Sequence, residues 1–244
     1  MCLLAIYYRV ADDAPLVLGA NREEEYSRGG TLPARIAGNP GIVCPKDPRK
    51  GGTWIGINSH GLVVAVTNRR LAKVPQGARS RGLLALDLLH CKNASEASSL
   101  AVKELSSHNY AGGNFFLADA GQALVVMHSN WLKVRPLPPG LHLVTNGEIN
   151  DEADPRIVEA ARGLEWSQGH AAKTCLAQLK ATCAMHHPGP GSICLNGKEK
   201  GTVSSTLILL AREKENNQLW HAQGSPGEFP HQDYSSLLTS LEGT

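Results

Sequence analysis

Apolar positions in this chain come mostly in short blocks of about four to eight residues, bounded by Gly, Pro, Asn and Asp. That spacing predicts antiparallel strands joined by turns. Cys2 to Val10 and Leu16 to Ala20 read as the first hairpin, with the acidic, proline-containing segment 11–15 between them. Residues 27–52 are rich in Gly, Pro and charge and read as a long loop with one short strand, Gly41 to Cys44. Thr53 to Ile57 and Leu62 to Thr67 form a second hairpin around Asn58-Ser59-His60-Gly61. A basic loop, 68–82, follows. Leu83 to Cys91 and Ala94 to Leu105 have helical apolar spacing.

Strands resume with Phe115 to Ala118 and Ala123 to His128, which flank Asp119-Ala120-Gly121, and continue with Trp131 to Arg135 and Leu141 to Thr145. Asp154 and Pro155 open a helix over Arg156 to Leu164. Another, Lys173 to Met185, stops at the Pro- and Gly-rich segment 186–191. Val203 to Ala211 and Asn217 to Gln223 make the last hairpin, and a weak helical pattern begins at Ser235. Hairpins rather than alternating strand and helix predict an α+β fold with antiparallel sheets. Neither a GxGxxG fingerprint nor a P-loop occurs. No repeat or linker divides the chain, so residues 1–244 are expected to form a single domain.

Composition narrows the functional classes. With 244 residues, 42% hydrophobic and 19% charged, the chain can bury a substantial core and does not fit a disordered class. A net charge of +2 and 5% aromatic residues argue against a nucleic-acid partner, and the basic runs 46–50 and 69–81 read as solvated loops or as attractors of an anionic substrate. No apolar run approaches the roughly 20 residues that a membrane helix needs. The first residues lack the basic start and cleavage site of a signal peptide, so the expected location is cytoplasmic. Six cysteines without CxxC spacing then read as reduced thiols, with Cys91, Cys175 and Cys183 as small core residues. His186-His187 reads as a helix end rather than a metal site. No metal or cofactor is expected, and the oligomeric state is not set by the sequence.

Cys2 differs from the other cysteines because it follows Met1. Removal of Met1 would leave one residue carrying a thiol and a free α-amine. Their reference pKa values, about 8.5 and about 7.7–8.0, are close enough for the amine to take the thiol proton near neutral pH. Met-Cys alone is more simply the start of a buried strand, so other segments must add to it. Segment 19–27, containing Arg22 and Glu23, leaves the second strand. Strand pairing would bring Arg22 or Glu23 near Cys2, where Arg can stabilise a thiolate and Glu can orient the amine or the Arg. A solvated charged turn is the plainer alternative. Two apolar strands end in Thr-Asn, at Asn68 and at Asn146. An Asn amide there can donate to a developing oxyanion or can simply begin a turn.

Taken in order, Met1-Cys2, 20–24, Gly51 to Asn58, Ala65 to Asn68, Asn114 to Asp119, Val144 to Asn146 and Ser204 to Thr206 resemble the NRDE family. That family includes the Transport and Golgi Organization 2 proteins, and the resemblance spans nearly the whole chain. Glu23 replaces the Asp of the family's motif. Val203 stands where some members have Arg, so that any role of that Arg is lost or passes to Arg22. Segments 114–126, 192–194 and 202–205 are similar to isopenicillin N acyltransferase-like enzymes. The opening is similar to the bile salt hydrolase and penicillin V acylase group, whose site positions correspond to Cys2, Glu23, Asn68 and Asn146.

These resemblances imply a four-layer αββα sandwich of the N-terminal nucleophile hydrolase type. They also imply attack by Cys2 on an acyl-amide or acyl thioester, giving an acyl-enzyme that passes its acyl group to water or an amine. The NRDE resemblance implies an alternative as well: a non-catalytic protein binding haem, acyl-CoA or lipid, in which Cys44-Pro45 offers a thiolate to haem iron.

Overall fold

The computed structural model describes residues 3–71, 74–165, 169–239 and 241. In chain order the strands are β1 (Leu3–Tyr8), β2 (Leu16–Glu25), β3 (Ala34–Ile36), β4 (Ile42–Cys44), β5 (Ile55–Asn58) and β6 (Val63–Asn68). Helices α1 (Arg81–Leu88) and α2 (Ala94–Ser107) follow, then β7 (Gly113–Ala118), β8 (Ala123–His128), β9 (Leu132–Pro136) and β10 (Gly140–Val144). The remainder is α3 (Pro155–Arg162), α4 (Ala172–Ala184), β11 (Lys200–Leu210), β12 (Gln218–Ala222), β13 (Gln232–Asp233) and α5 (Ser236–Thr239). The α+β class with two antiparallel sheets is the one expected from the sequence. The contacts divide the chain into two compact units, 1–30 with 138–236, and 31–137 with 237–244.

The first unit holds a six-stranded sheet in the order β10-β1-β2-β11-β12-β13. Leu3, Ala5 and Tyr7 of β1, Val17 of β2 and Leu207 and Leu209 of β11 point to one face and pack against Ile157 and Ala160 of α3 and Cys175, Leu179 and Cys183 of α4. Each large aliphatic side chain buried there contributes about 1.5–3 kcal/mol. The Tyr7 hydroxyl reaches through this layer to Gln178 Oε1 at 2.7 Å.

The second unit holds a seven-stranded meander, β3 to β9 in sequence order. Ala94, Ala97, Ala101 and Leu105 form the buried stripe of α2, at helical spacing. Asn93 caps this helix by accepting from the Glu96 amide at 2.9 Å, and the Glu96 carboxylate accepts from the Lys92 amide at 2.9 Å. The segment Gly51 to Asn58 is built for close approach. At Gly52 a Cβ would overlap the Gly82 backbone, and at Gly56 it would lie 2.7 Å from Leu89 Cδ1. Asn58 closes the segment. Its amide nitrogen donates to the carbonyls of Leu89 at 2.8 Å and Cys91 at 2.7 Å, while its oxygen accepts from the His60 and Leu62 amides, both at 3.0 Å.

Four strands depart most from the sequence expectation. β2 runs five residues past Ala20, to Glu25, so the charged segment is strand rather than turn. It pairs with β11, whose start lies at Lys200 rather than Val203: Glu23 is opposite Thr202 and Glu25 opposite Lys200. Pairing and side-chain partners override the low strand propensity of Asn and Glu. β3 lies inside the expected long loop, and β13 is a two-residue edge absent from the hydrophobic pattern.

Gly52→Ala is expected to destabilise the protein by about 1–3 kcal/mol, because backbone rather than a flexible side chain must move. A thermal melt with Tm equal to the parent's would contradict this packing.

Candidate active site

The expected site residues of the first unit gather at one end of its sheet. Leu3 is opposite Asn21, and Leu4 lies in one row with Ala20 of β2 and Val144 of β10. Two residues beyond that row come Arg22 on one flank of β1 and Asn146 on the other. Cys2 lies outside the described residues; it is bonded to Leu3, the first residue of β1.

Arg22 and Glu23 are both buried, at 6% and 7% exposure, which excludes the solvated-turn alternative. As neighbours on a strand they point to opposite faces. Arg22 donates to the Gly29 carbonyl and has Glu24 Oε2 at 4.0 Å. Glu23 does not orient Arg22. Its carboxylate meets the guanidinium of Arg156 in a two-point pair, with Nη1 donating to Oε2 at 3.1 Å and Nη2 to Oε1. Burial pushes the Glu23 carboxyl above its ordinary range, and the charge and hydrogen bonds of Arg156 oppose that push.

Arg156 was not singled out by the sequence analysis. It sits in the first turn of α3, where only a helix start was expected. The pair with Glu23 spans 133 positions, so no local pattern reports it. Nε and Nη2 also donate to the carbonyls of Ser192 and Ile193, both at 3.1 Å, so four of its five N–H groups are engaged. Asp154 caps α3 by accepting from the Arg156 amide at 2.9 Å, and its other oxygen accepts from Thr145 Oγ1 at 2.6 Å. A continuous polar path therefore runs from Glu23 through the start of α3 to the end of β10, where Asn146 follows.

Asn146 is half-buried, and its Oδ1 is one of three buried polar atoms in this region without a partner among the described residues; the others are Asn21 Oδ1 and Ser204 Oγ. Asn21 uses its amide nitrogen on the Cys183 carbonyl at 2.8 Å. Ser204 is opposite Arg22 and shares its face of the sheet. Buried polar atoms of this kind are normally hydrogen-bonded. Asn68 belongs to the second unit, where it ends β6 opposite Gly113 and is exposed.

The segment Ser204 to Thr206 anchors buried histidines. Ser205 Oγ lies 3.0 Å from His231 Nε2, and Thr206 Oγ1 lies 2.9 Å from His221 Nδ1. Burial, with Lys180 and His221 nearby, pushes His231 down to about 4. Five cysteines are buried thiols: Cys44, Cys91, Cys175, Cys183 and Cys194. Burial raises Cys91 to about 11 and Cys183 to about 12. Cys44 ends strand β4, in the short strand expected there, and burial holds it as a thiol, so Cys44-Pro45 does not present a thiolate. His186 gives its Nδ1 to the Cys194 carbonyl at 2.8 Å, and among the described residues no group of three or more His, Cys, Asp or Glu is placed to hold a metal ion.

The fold is that of N-terminal nucleophile hydrolases. The chain is similar to a Caenorhabditis elegans N-acylethanolamine-hydrolyzing acid amidase ortholog, with a TM-score of 0.60 at 14% identity over 85% of this chain and 92% of that one. It is also similar to a mutant conjugated bile acid hydrolase from Clostridium perfringens, with a TM-score of 0.54 at 13% identity over 97% and 93%. The chain belongs to the Transport and Golgi organisation 2 family, which residues 1–220 match. A Bos taurus Transport and Golgi organization protein 2 homolog is 36% identical over 234 residues, 80% of this chain and 82% of that protein. The chain spans about half the length of the human and mouse homologues it matches at 32% identity.

Two outcomes follow from this geometry. Arg156→Met strands a buried carboxylate and is expected to cost about 3–5 kcal/mol in denaturant unfolding, much of it restored in the double variant Glu23→Gln/Arg156→Met. His231 titrates near 6.5 when unfolded and about 4 when folded, so the unfolded state binds more protons between those values. Stability should therefore rise with pH from about 4 to 6.5 and fall on acidification. His231→Gln should flatten that part of a Tm–pH curve, and an unchanged slope would contradict the assignment.

Proposed function

We propose that the protein is an N-terminal-cysteine amidohydrolase or acyltransferase acting on a small acyl-amide or acyl thioester. The observation that carries this reading is the gathering of buried Arg22, buried Glu23 and Asn146 around the strand start to which Cys2 is bonded. The amidase and hydrolase named among the structures of the same fold support the reaction class. Residues 1–244 are taken as one functional domain, since the family match runs over both units. Among the described residues no helix is long and apolar enough to cross a membrane, and a cytoplasmic site of action is part of the proposal.

After loss of Met1, the α-amine of Cys2 takes the thiol proton. The thiolate adds to the carbonyl carbon, and the tetrahedral oxyanion is met by the amide donor of Asn146. Collapse expels the amine or thiol, which receives the proton from the α-ammonium, and leaves a thioester on Cys2. Water or an acceptor amine then attacks the thioester, gives its proton to the α-amine and releases the acyl product. Arg22 favours the thiolate, and Glu23 orients the amine.

Intact-mass measurement should show loss of Met1, and iodoacetamide should label Cys2 ahead of the five buried thiols. Across a panel of acyl-amides and acyl thioesters, a substrate should leave an acyl adduct on Cys2, and Cys2→Ala should return turnover to the uncatalysed background. Retained Met1, or a Cys2 inert to alkylation, would overturn the reading.

A further inference from the structure

We propose that Asn150 is a positioning residue for Asn146: by closing the loop that follows β10, it fixes the direction from which the Asn146 amide meets the oxyanion. The inference rests on the nucleophile reading above and extends it to a residue that does not itself react. β10 is an edge strand of its sheet, with β1 on one side only. The outward N–H and C=O groups of such a strand are ordinarily left to water. At Leu143, Asn150 takes both. Its Oδ1 accepts from the Leu143 amide at 2.7 Å, and its own N–H donates to the Leu143 carbonyl at 2.8 Å. Its Nδ2 lies 3.4 Å from Nδ1 of buried His142, whose Nε2 is 2.7 Å from the Pro138 carbonyl. One residue thus ties the end of the loop to two successive positions of β10.

The backbone at this position suits Asn. Asn150 has φ 57°, and among the described residues only Arg9 shares a positive φ without being glycine. Asn enters this left-handed region more readily than most side chains, and it brings the acceptor that glycine lacks. Ile149, buried, bridges to Val144, so packing also holds the returning arm of the loop. At the outgoing arm Thr145 Oγ1 is bound to Asp154 at 2.6 Å. Asn146 therefore stands in a short segment fixed at both ends. Its Oδ1 has no partner among the described residues, so that atom does not hold the side chain in place; the loop does. A donor set in place before the reaction needs no reorganisation as charge develops, and a displacement of about 1 Å can cost about 100-fold in rate.

The test combines turnover of acyl p-nitroanilides, from acetyl to decanoyl, with backbone hydrogen exchange read by mass spectrometry. Asn150→Gly keeps the left-handed backbone and removes the side chain, with folding verified by circular dichroism. It is expected to lower kcat about tenfold and leave KM near the parent value, the pattern of a contact made only in the transition state. Asn150→Asp keeps the acceptor for the Leu143 amide and should stay within about threefold of the parent. In an Asn146→Ala background Asn150→Gly should cost nothing further, because the two residues act as one unit. Amides 144–149 should exchange faster in Asn150→Gly, while those of α4 keep the parent rate. A parent kcat in folded Asn150→Gly, or a loss that adds to that of Asn146→Ala, would overturn the positioning role. Unchanged exchange at 144–149 would overturn the loop closure itself. Exchange does not depend on thiol chemistry, so a parent protein with neither turnover nor a Cys2 adduct would sink the nucleophile reading, and the exchange rates would still decide whether Asn150 closes the loop.

Discussion

Glu23 is buried near one end of its sheet, opposite Thr202 of β11 and against Arg156 of α3. A carboxylate there has lost its water, and a lone buried charge costs several kcal/mol. Arg156 answers it with two donors and is itself fixed by two main-chain carbonyls. The pair sets more than its own energy. It ties the second half of β2 to the first turn of α3, and through Asp154 and Thr145 it ties α3 to the end of β10. Three chain segments far apart in sequence thereby keep a common geometry at the sheet end where the chain begins.

The strand pattern was legible wherever side chains alternate or cluster by hydrophobicity. The hairpins at 53–67, 115–128 and 203–223 appear close to where the turns Asn58 to Gly61 and Asp119 to Gly121 predicted them. Asp119 shows why such turns can be read. It accepts from the Gly121 and Gln122 amides at 2.7 and 2.9 Å, which is local chemistry within four residues. The charged half of β2 was not legible as strand. Asn, Arg and three Glu in succession speak for solvent, and only their partners on β11 and α3 reverse that. Arg156 was invisible for the same reason: its importance lies in a contact that no spacing encodes.

Among the candidate residues, legibility followed the same division. Arg22 and Glu23 were found because a charged run stands directly after an apolar strand. Their roles were harder to separate, since the sequence does not say which face each takes. The alternation of the pleat sends them apart, so that one carboxylate serves α3 while Arg22 serves the loop at Gly29. Cys44 divides in the same way. Its strand, Gly41 to Cys44, was legible, whereas the burial that keeps its thiol protonated was not: Ile42, Val43 and Cys44 are all buried.

The two Thr-Asn strand ends have a shared logic that the sequence hinted at only by repetition. In each pair the Thr is buried and tied down. Thr67 Oγ1 accepts from Asn114 at 3.2 Å, and Thr145 Oγ1 donates to Asp154 at 2.6 Å. Each following Asn lies just outward of its anchor, at the point where ladder pairing gives out. A β-branched residue with a bonded hydroxyl stiffens the last turn of the strand. The residue after it then leaves the strand from a fixed point. That arrangement suits a group that must present a donor to something other than the protein itself. It gives a physical reason for the same dipeptide to recur in two separate sheets, where a turn-forming Asn alone would need no buried partner before it.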